Sequence, residues 1–256
     1  MTERLICLGT GSMMLTGGRS TASYLIETEQ GRTLIDAGPG TLLRLSQSGV
    51  PLCSIRRVLL SHMHPDHHAD LLGLLFYRRN PAIREDLQPL SILGPKGKLR
   101  EVHQAWSEVY GSWIQDDSVE VQGLSLGSQD HEGFRFETYP VRHSAPALCF
   151  RIHLEDGRVL AYSGDSEPCE GLSEACREAD FAIVECSFPD EEACPGHMCP
   201  SAIRALCLEA EPRRIGLTHF YPSMQARLQE PGFVGREFGD LNAEIVILED
   251  SMEIEL

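Results

Sequence analysis

Four side chains that can bind metal ions fall within the six positions His62–His67, in the run Ser61-His62-Met63-His64-Pro65-Asp66-His67. Imidazole nitrogens beside a carboxylate oxygen suit zinc, and also manganese or iron. Along an extended segment residues i and i+2 share a face, so His62 and His64 can point at one ion. A helix starting near Pro65 turns Asp66 and His67 back toward a second position beside the first. A chance histidine-rich turn is the alternative, but a His-x-His-x-Asp-His run directly after an apolar strand argues against it. His68 adjoins the run and reads as facing outward or supporting a ligand.

Two ions need further ligands, and three more candidates each close a strand pattern. His143 stands in Val141-Arg142-His143-Ser144, Asp165 ends Leu160-Ala161-Tyr162-Ser163-Gly164-Asp165, and His219 ends Ile215-Gly216-Leu217-Thr218-His219. Alone, each reads as a turn residue or a hydrogen-bonded core group. Together with His62–His67 they read as one ligand set. Asp36, in Leu34-Ile35-Asp36-Ala37-Gly38, and His197, in Gly196-His197-Met198-Cys199-Pro200, are two further candidates. Asp36 reads equally as a turn cap before Gly38, and His197 as a surface-loop histidine.

The elements that must position these residues alternate between strand and helix. Leu5–Leu8, Ser23–Glu27 and Arg32–Asp36 read as strands, the last two joined by a hairpin at Gln30-Gly31. Thr41–Ser48 reads as a short helix, Ile55–Leu60 as a buried strand and Asp66–Tyr77 as a helix packed on the core. Leu90–Leu93 is a predicted strand and Lys98–Val109 a helix, within a Tyr77–Val121 segment that is a candidate lid. Val119–Val121, Phe134–Val141, Leu148–His153 and Val159–Ser163 read as strands, Leu172–Ala179 as a helix and Phe181–Glu185 as a strand. Pro200–Leu208 is a helix with Ser201 as its candidate cap. Ile215–Thr218 and Glu244–Leu248 are late strands, and Ser251–Leu256 closes the chain. This order predicts an α/β (α+β) protein of two sheets with helices outside, in one domain spanning 1–256.

Composition narrows the function classes. The net charge is −16, and Arg56-Arg57, Arg78-Arg79 and Arg213-Arg214 are the paired basic residues, each read as solvated surface. That balance disfavours extended nucleic-acid binding. The nine cysteines are odd in number, form no C-x-x-C pair and several sit in apolar runs, which predicts free thiols in a reducing, cytoplasmic compartment. Met1-Thr2-Glu3-Arg4 leads straight into a strand, so no signal peptide is expected, and no apolar run approaches a membrane span.

With these motifs assembled, the chain resembles the metallo-β-lactamase superfamily over nearly its whole length, from Leu8-Gly9-Thr10-Gly11-Ser12 to Leu248–Leu256. Arg142-His143-Ser144, Ser163-Gly164-Asp165 and Leu217-Thr218-His219 place the resemblance in the ribonuclease Z-like branch and its small phosphodiesterase relatives. The resemblance implies a four-layer αββα sandwich of two mixed sheets flanked by helices. It implies one ion, zinc first among the divalent metals, on His62, His64 and His143. A second lies on Asp66, His67 and His219, with Asp165 bridging. Asp36 would orient ligand histidines, and His197 would act near the scissile phosphate as acid or charge stabiliser. Two ions about 3.5–4 Å apart clamp attacking and leaving oxygens. A metal-bound hydroxide would attack phosphorus or a carbonyl carbon, with Asp66 or the hydroxide itself managing protons.

True tRNA 3′-processing endoribonucleases of the ribonuclease Z type carry a long basic arm between the lone histidine and the bridging aspartate. Here only Ser144–Gly164 lie between them. The expected substrate is therefore a small phosphodiester or cyclic phosphate rather than tRNA. A lactonase or thioesterase of the same fold shares the ligands. A di-iron oxygen reductase typically has Glu where His64 stands, plus a flavin domain, and a non-catalytic metal module usually loses ligands. A homodimer is a family expectation, and no membrane partner is expected.

Overall fold

The computed structural model describes residues 3–144 and 146–256. Met1-Thr2, where the N-terminal reading begins, lie outside them. Among the described residues the strands are β1 (Arg4–Gly9), β2 (Ser23–Thr28), β3 (Gly31–Ile35), β4 (Ile55–Leu59), β5 (Leu90–Pro95), β6 (Val119–Leu124), β7 (Gly127–His131), β8 (Phe134–Pro140), β9 (Leu148–His153), β10 (Val159–Tyr162), β11 (Phe181–Glu185), β12 (Arg214–Thr218), β13 (Glu244–Ile247) and β14 (Glu253–Glu255). They form two seven-stranded sheets, ordered β14-β1-β2-β3-β4-β5-β6 and β13-β12-β11-β10-β9-β8-β7. Both are mixed. In the first, β3 to β6 run parallel, while β2 is antiparallel to β1 and β3. In the second, β10 to β13 run parallel and β7 to β10 alternate.

Each sheet has two apolar faces, so each must be covered twice. The inner faces cover one another. Leu5, Tyr24, Ile35 and Leu59 of the first sheet meet Phe136, Phe150, Tyr162 and Ile183 of the second. The outer face of the first sheet packs on α1 (Thr41–Gln47), α2 (Pro65–Arg78) and α3 (Lys98–Tyr110). That of the second packs on α4 (Glu170–Cys176), α5 (Pro200–Ala210), α6 (Pro222–Leu228) and α7 (Phe233–Phe238). The result is the expected αββα sandwich, and each large side chain buried in it contributes about 1.5–3 kcal/mol. No helix among the described residues is long and apolar enough to cross a membrane.

Several expectations need correction. Segment 77–121 is not a detached lid: it supplies β5 and the start of β6, hydrogen-bonded into the first sheet. Arg57 and Arg78 are buried rather than solvated. The Arg57 guanidinium donates to the Gln30 carbonyl at 3.0 and 3.1 Å and lies 5.0 Å from the Phe134 ring centroid. That of Arg78 donates to Asp116, Gln88 and Ser118. Ser201 does not cap α5. Cys199 holds the N-cap position without a side-chain cap bond, and the Ser201 N–H donates to Asp190 Oδ1 at 3.0 Å. His68 is buried, its ring 5.4 Å from that of Trp106.

Candidate metal centre

The His62–His67 run is shaped by a strand-to-helix switch. After β4, His64 is extended and holds the N-cap position of α2 without a side-chain cap bond, and Pro65 takes the first helical position, where its missing N–H costs nothing. Asp66 and His67 occupy the first turn, where the helix dipole favours a carboxylate. The Ala37 N–H donates to the His67 carbonyl at 2.7 Å and the Asp70 N–H to the Ala37 carbonyl at 3.0 Å, fixing α2 against the end of β3. Only glycine permits that approach at position 38, because a Cβ there would lie 1.9 Å from the Asp66 carbonyl oxygen. The second sheet brings the other candidates. Its strands β8, β10, β11 and β12 share one direction, so the residues after their C-terminal ends gather at one edge. Those residues include His143, Asp165 and His219. His219 adopts a left-handed backbone, φ +59°, and its N–H donates to the Thr10 carbonyl at 2.9 Å. A non-glycine residue holds that conformation only where its surroundings enforce it.

All seven expected ligands come together. His62, His64, His143 and Asp165 form one group whose ligand atoms lie within 4.8 Å of one another, and Asp66, His67 and His219 form another. Asp165 faces both groups. Its Oδ2 lies 3.9 Å from His62 Nε2 and 3.8 Å from His143 Nε2, and its Oδ1 lies 3.3 Å from His67 Nε2 and 3.4 Å from His219 Nε2. Asp66 Oδ2 is 3.5 Å from His219 Nε2 and 3.9 Å from His67 Nε2.

The far side of four of the five rings is tethered. His67 Nδ1 lies 2.7 Å from Asp36 Oδ2, His143 Nδ1 is 2.9 Å from the Gly196 carbonyl, His219 Nδ1 is 3.0 Å from Ser187 Oγ and His62 Nδ1 is 3.0 Å from Ser61 Oγ. A protonated Nδ1 donating to these oxygens leaves those four Nε2 lone pairs toward the centre, where His64 instead presents its Nδ1, 3.1 Å from His143 Nε2. Asp36 is therefore more than a turn cap: it also accepts from Ser61 N, Ser61 Oγ and Tyr162 OH at 2.8, 2.8 and 2.6 Å. Facing lone pairs should repel unless a cation lies among them. Accordingly, buried His62 Nε2 and Asp165 Oδ1 have no hydrogen-bond partner among the described residues. Such orphaned atoms cost free energy unless something completes them, so the donor set fits divalent cations.

In the metal-free protein the same atoms draw on protons instead. Burial opposes the charged form of His67, but Asp165 and Asp36 outweigh it and raise its pKa well above the ordinary value. Burial likewise works against the Asp165 carboxylate, yet His219, His67 and His62 hold it well below the usual range. For His62, burial and the neighbouring His67 push the pKa well down. Burial also opposes ionised Asp66, and the His219 hydrogen bond and His67 prevail, lowering its pKa.

His197 reaches the same pocket. Its Nδ1 lies 3.0 Å from Glu185 Oε2 and 4.0 Å from Asp165 Oδ2, so it is not a free loop residue. Burial disfavours its charged form, and the Glu185 carboxylate overrides this and raises its pKa. Glu185 is missing from the sequence-based candidates. It is buried at the end of β11, its Oε1 accepts from Ser166 N at 2.6 Å, and it accepts from the Ser187 hydroxyl. Burial and Asp165 raise its own pKa. A carboxylate ending a fully apolar strand, like Asp165 after β10, was the signal available for it. Phe188 and Tyr221 also border the pocket, their rings 5.6 and 5.7 Å from that of His197.

Residues 31–220 match the family described as the beta-lactamase superfamily domain. The chain is 26% identical to the ribonuclease Z of Methanosarcina acetivorans, over 99% of its own length and 98% of that protein. It is 30% identical to the zinc phosphodiesterase ELAC protein 2 of Mus musculus over 73% of its length, but that stretch is only 25% of the mouse protein. Its fold overlays the metallo-β-lactamase fold protein YhfI of Bacillus subtilis with a TM-score of 0.82 at 19% identity, covering 99% of each chain. The family match opens on β3, just ahead of Asp36, and closes one residue past His219. Fold, span and the gathered His and Asp side chains agree, and the chain belongs to the metallo-β-lactamase superfamily.

Proposed function

We propose that the chain is a binuclear metal-dependent hydrolase that cleaves a small phosphodiester or cyclic phosphate. The observation that carries this reading is Asp165, with one oxygen toward His62 and His143 and the other toward His67 and His219. In this reading His62, His64 and His143 hold one ion, Asp66, His67 and His219 hold the other, and Asp165 bridges. Zinc is the first choice, since imidazole dominates the donor set and a zinc phosphodiesterase is among the relatives. When bound, two such ions activate a water and neutralise charge on phosphoryl oxygens.

The chain's own residues supply the rest. Asp36, Ser61, Ser187 and the Gly196 carbonyl orient the imidazoles. Asp66, the candidate for managing protons, is held ionised against the cost of burial by the His219 hydrogen bond and by His67. His197, whose pKa Glu185 raises against the cost of burial, is the candidate for donating a proton to a leaving oxygen. The acid is thus a pair: burial and Asp165 make ionised Glu185 costly, and protonated His197 offsets that cost.

Phosphorus is favoured over a carbonyl carbon because both curated relatives carry phosphodiester-cleaving names. A small substrate is favoured because Ser144–Gly164 holds β9, β10 and the turn at Asp156-Gly157, leaving little length for an arm. Processing of tRNA is the second reading, supported by a ribonuclease Z relative that matches end to end. We take residues 1–256 as one hydrolase domain, and the free thiols as fitting a reducing cytoplasm.

Elemental analysis of the purified protein should find zinc bound, and His64→Ala and Asp165→Ala should each lower metal content and activity together. Bis-p-nitrophenyl phosphate should be turned over while lactones and thioesters are spared. Unchanged metal and turnover in both variants would refute the ligand assignment. Efficient trimming of a tRNA precursor would move the substrate to the second reading.

A further inference from the structure

The pocket has an aromatic wall that metal binding does not use. Phe188 and Tyr221 stack with centroids 4.4 Å apart and planes at 28°. Both rings lie edge-on to His197, whose ring in turn is 5.1 Å from that of His143. The wall therefore flanks the candidate acid, and Tyr221 also lies 5.8 Å from the ring of the candidate ligand His219. Both aromatic residues are partly exposed. Phe188 has no polar atom in its side chain to gain from that exposure. Their positions are fixed by the backbone: the Tyr221 N–H donates to the Ser187 carbonyl at 3.1 Å, and each residue follows directly on a buried one, Ser187 or Phe220. The loop bearing exposed Met13, Met14 and Leu15 is rooted beside the wall, where Gly11 bridges Phe220. Around the centre, the ion pairs among described residues join histidines to carboxylates, without a lysine or arginine ladder for a polyanionic chain.

We infer that Phe188 and Tyr221 are specificity-determining residues that stack on a planar aromatic group, such as a nucleobase or aryl ring, carried by the ester arm of the substrate nearest His197. This rests on the phosphodiesterase reading for where the phosphoryl group sits. An aromatic ring is matched by another ring at little conformational cost, and such stacking is tolerant of which base is offered.

The test compares two ligands that share one anionic head. Phenylphosphonate and methylphosphonate are titrated by calorimetry into the zinc-loaded protein. Phenylphosphonate is expected to bind roughly tenfold more tightly, within the range found for one stacked ring. In the Phe188→Leu/Tyr221→Leu double variant the ratio should fall toward one, and Tyr221→Phe, which keeps the ring, should retain it. Equal binding of the two ligands by the unaltered protein overturns the aromatic wall and leaves the phosphodiesterase reading standing. A preference that survives in the folded double variant also overturns it. Binding of neither ligand overturns both. The comparison in the unaltered protein decides the matter even if the double variant does not fold.

Discussion

The two candidate metal positions differ in depth and in what holds them. Asp66, His67 and His219 are all buried, and His67 is tied to the Asp36 carboxylate at 2.7 Å. In the other group His64 and His143 are only partly buried, and the tethers are a backbone carbonyl behind His143 and a hydroxyl behind His62. A carboxylate makes imidazole nitrogen a better donor than a neutral oxygen does, and it fixes the ring more firmly. The deep position should therefore hold its ion more tightly, and the shallow one should exchange first. The lesson is that similar ligand sets are graded by the atoms behind them.

The largest expected effect removes the distinction altogether. Asp165→Ala takes one oxygen from each group and should strip both positions, leaving hydrolysis at background; metal content and turnover measured together check this. Retention of one full equivalent would mean that Asp165 serves one position and does not bridge. Next comes His197→Gln, which should leave both positions filled yet lower kcat by roughly 10²–10⁴-fold for substrates with a poor leaving group. For p-nitrophenyl esters, whose leaving group needs little protonation, the fall should be much smaller. An equal fall on both substrates would argue for charge stabilisation by His197 over proton donation.

Asp36→Asn sharpens the comparison directly. It should weaken the deep position by about 10–100-fold while largely sparing the shallow one. Competition with a graded chelator, followed by metal analysis, reads both. Before mutation the shallow ion should leave first, and in the variant the order should narrow or invert. Equal loss from both positions would show that Asp36 acts through the whole site, which its contacts to Ser61 N and Tyr162 allow.

The same division governs what the sequence made legible. The candidate ligands of His62–His67 fall in one short run on a local strand-to-helix switch, so their spacing alone pointed to two ions. His143, Asp165 and His219 were visible only as polar ends of apolar strands, and Glu185, which ends β11 in the same way, was missed. Tyr162 becomes a partner of Asp36 only once two sheets pack, and Ser187 of His219 only once β11 and β12 pair, which no local pattern reports. Two sheets with helices outside were legible because most strands and the longer helices are strongly patterned, and the αββα order was what the family resemblance implied. Strand β7 was not, because Gly-Ser-Gln-Asp-His at a sheet edge has no apolar alternation. The short helices α6 and α7 lie in Pro222–Phe238, broken by Pro231-Gly232. Arg57 and Arg78 were misread because their burial depends on carbonyls and carboxylates brought from distant segments.

The smallest effect falls on the link between the two positions. Ser61 Oγ lies 2.8 Å from Asp36 Oδ2 and 3.0 Å from His62 Nδ1. A hydroxyl has one proton to give. If Ser61 gives it to the carboxylate, its oxygen accepts from the His62 Nδ1–H, and the tautomer of His62 is set with Nε2 free. Asp36 then reaches the shallow position as well, but through a neutral relay. Ser61→Ala breaks the relay and leaves the direct Asp36–His67 contact in place. Its cost should lie at the low end of the range for supporting residues, about tenfold in affinity, and should appear at the shallow position alone. The Ser61 N–H that donates to Asp36 Oδ1 survives the change, so Asp36 itself should stay in place. A comparable loss at the deep position would mean that Ser61 works by holding Asp36, and the ranking of the two positions by their tethers would have to be given up.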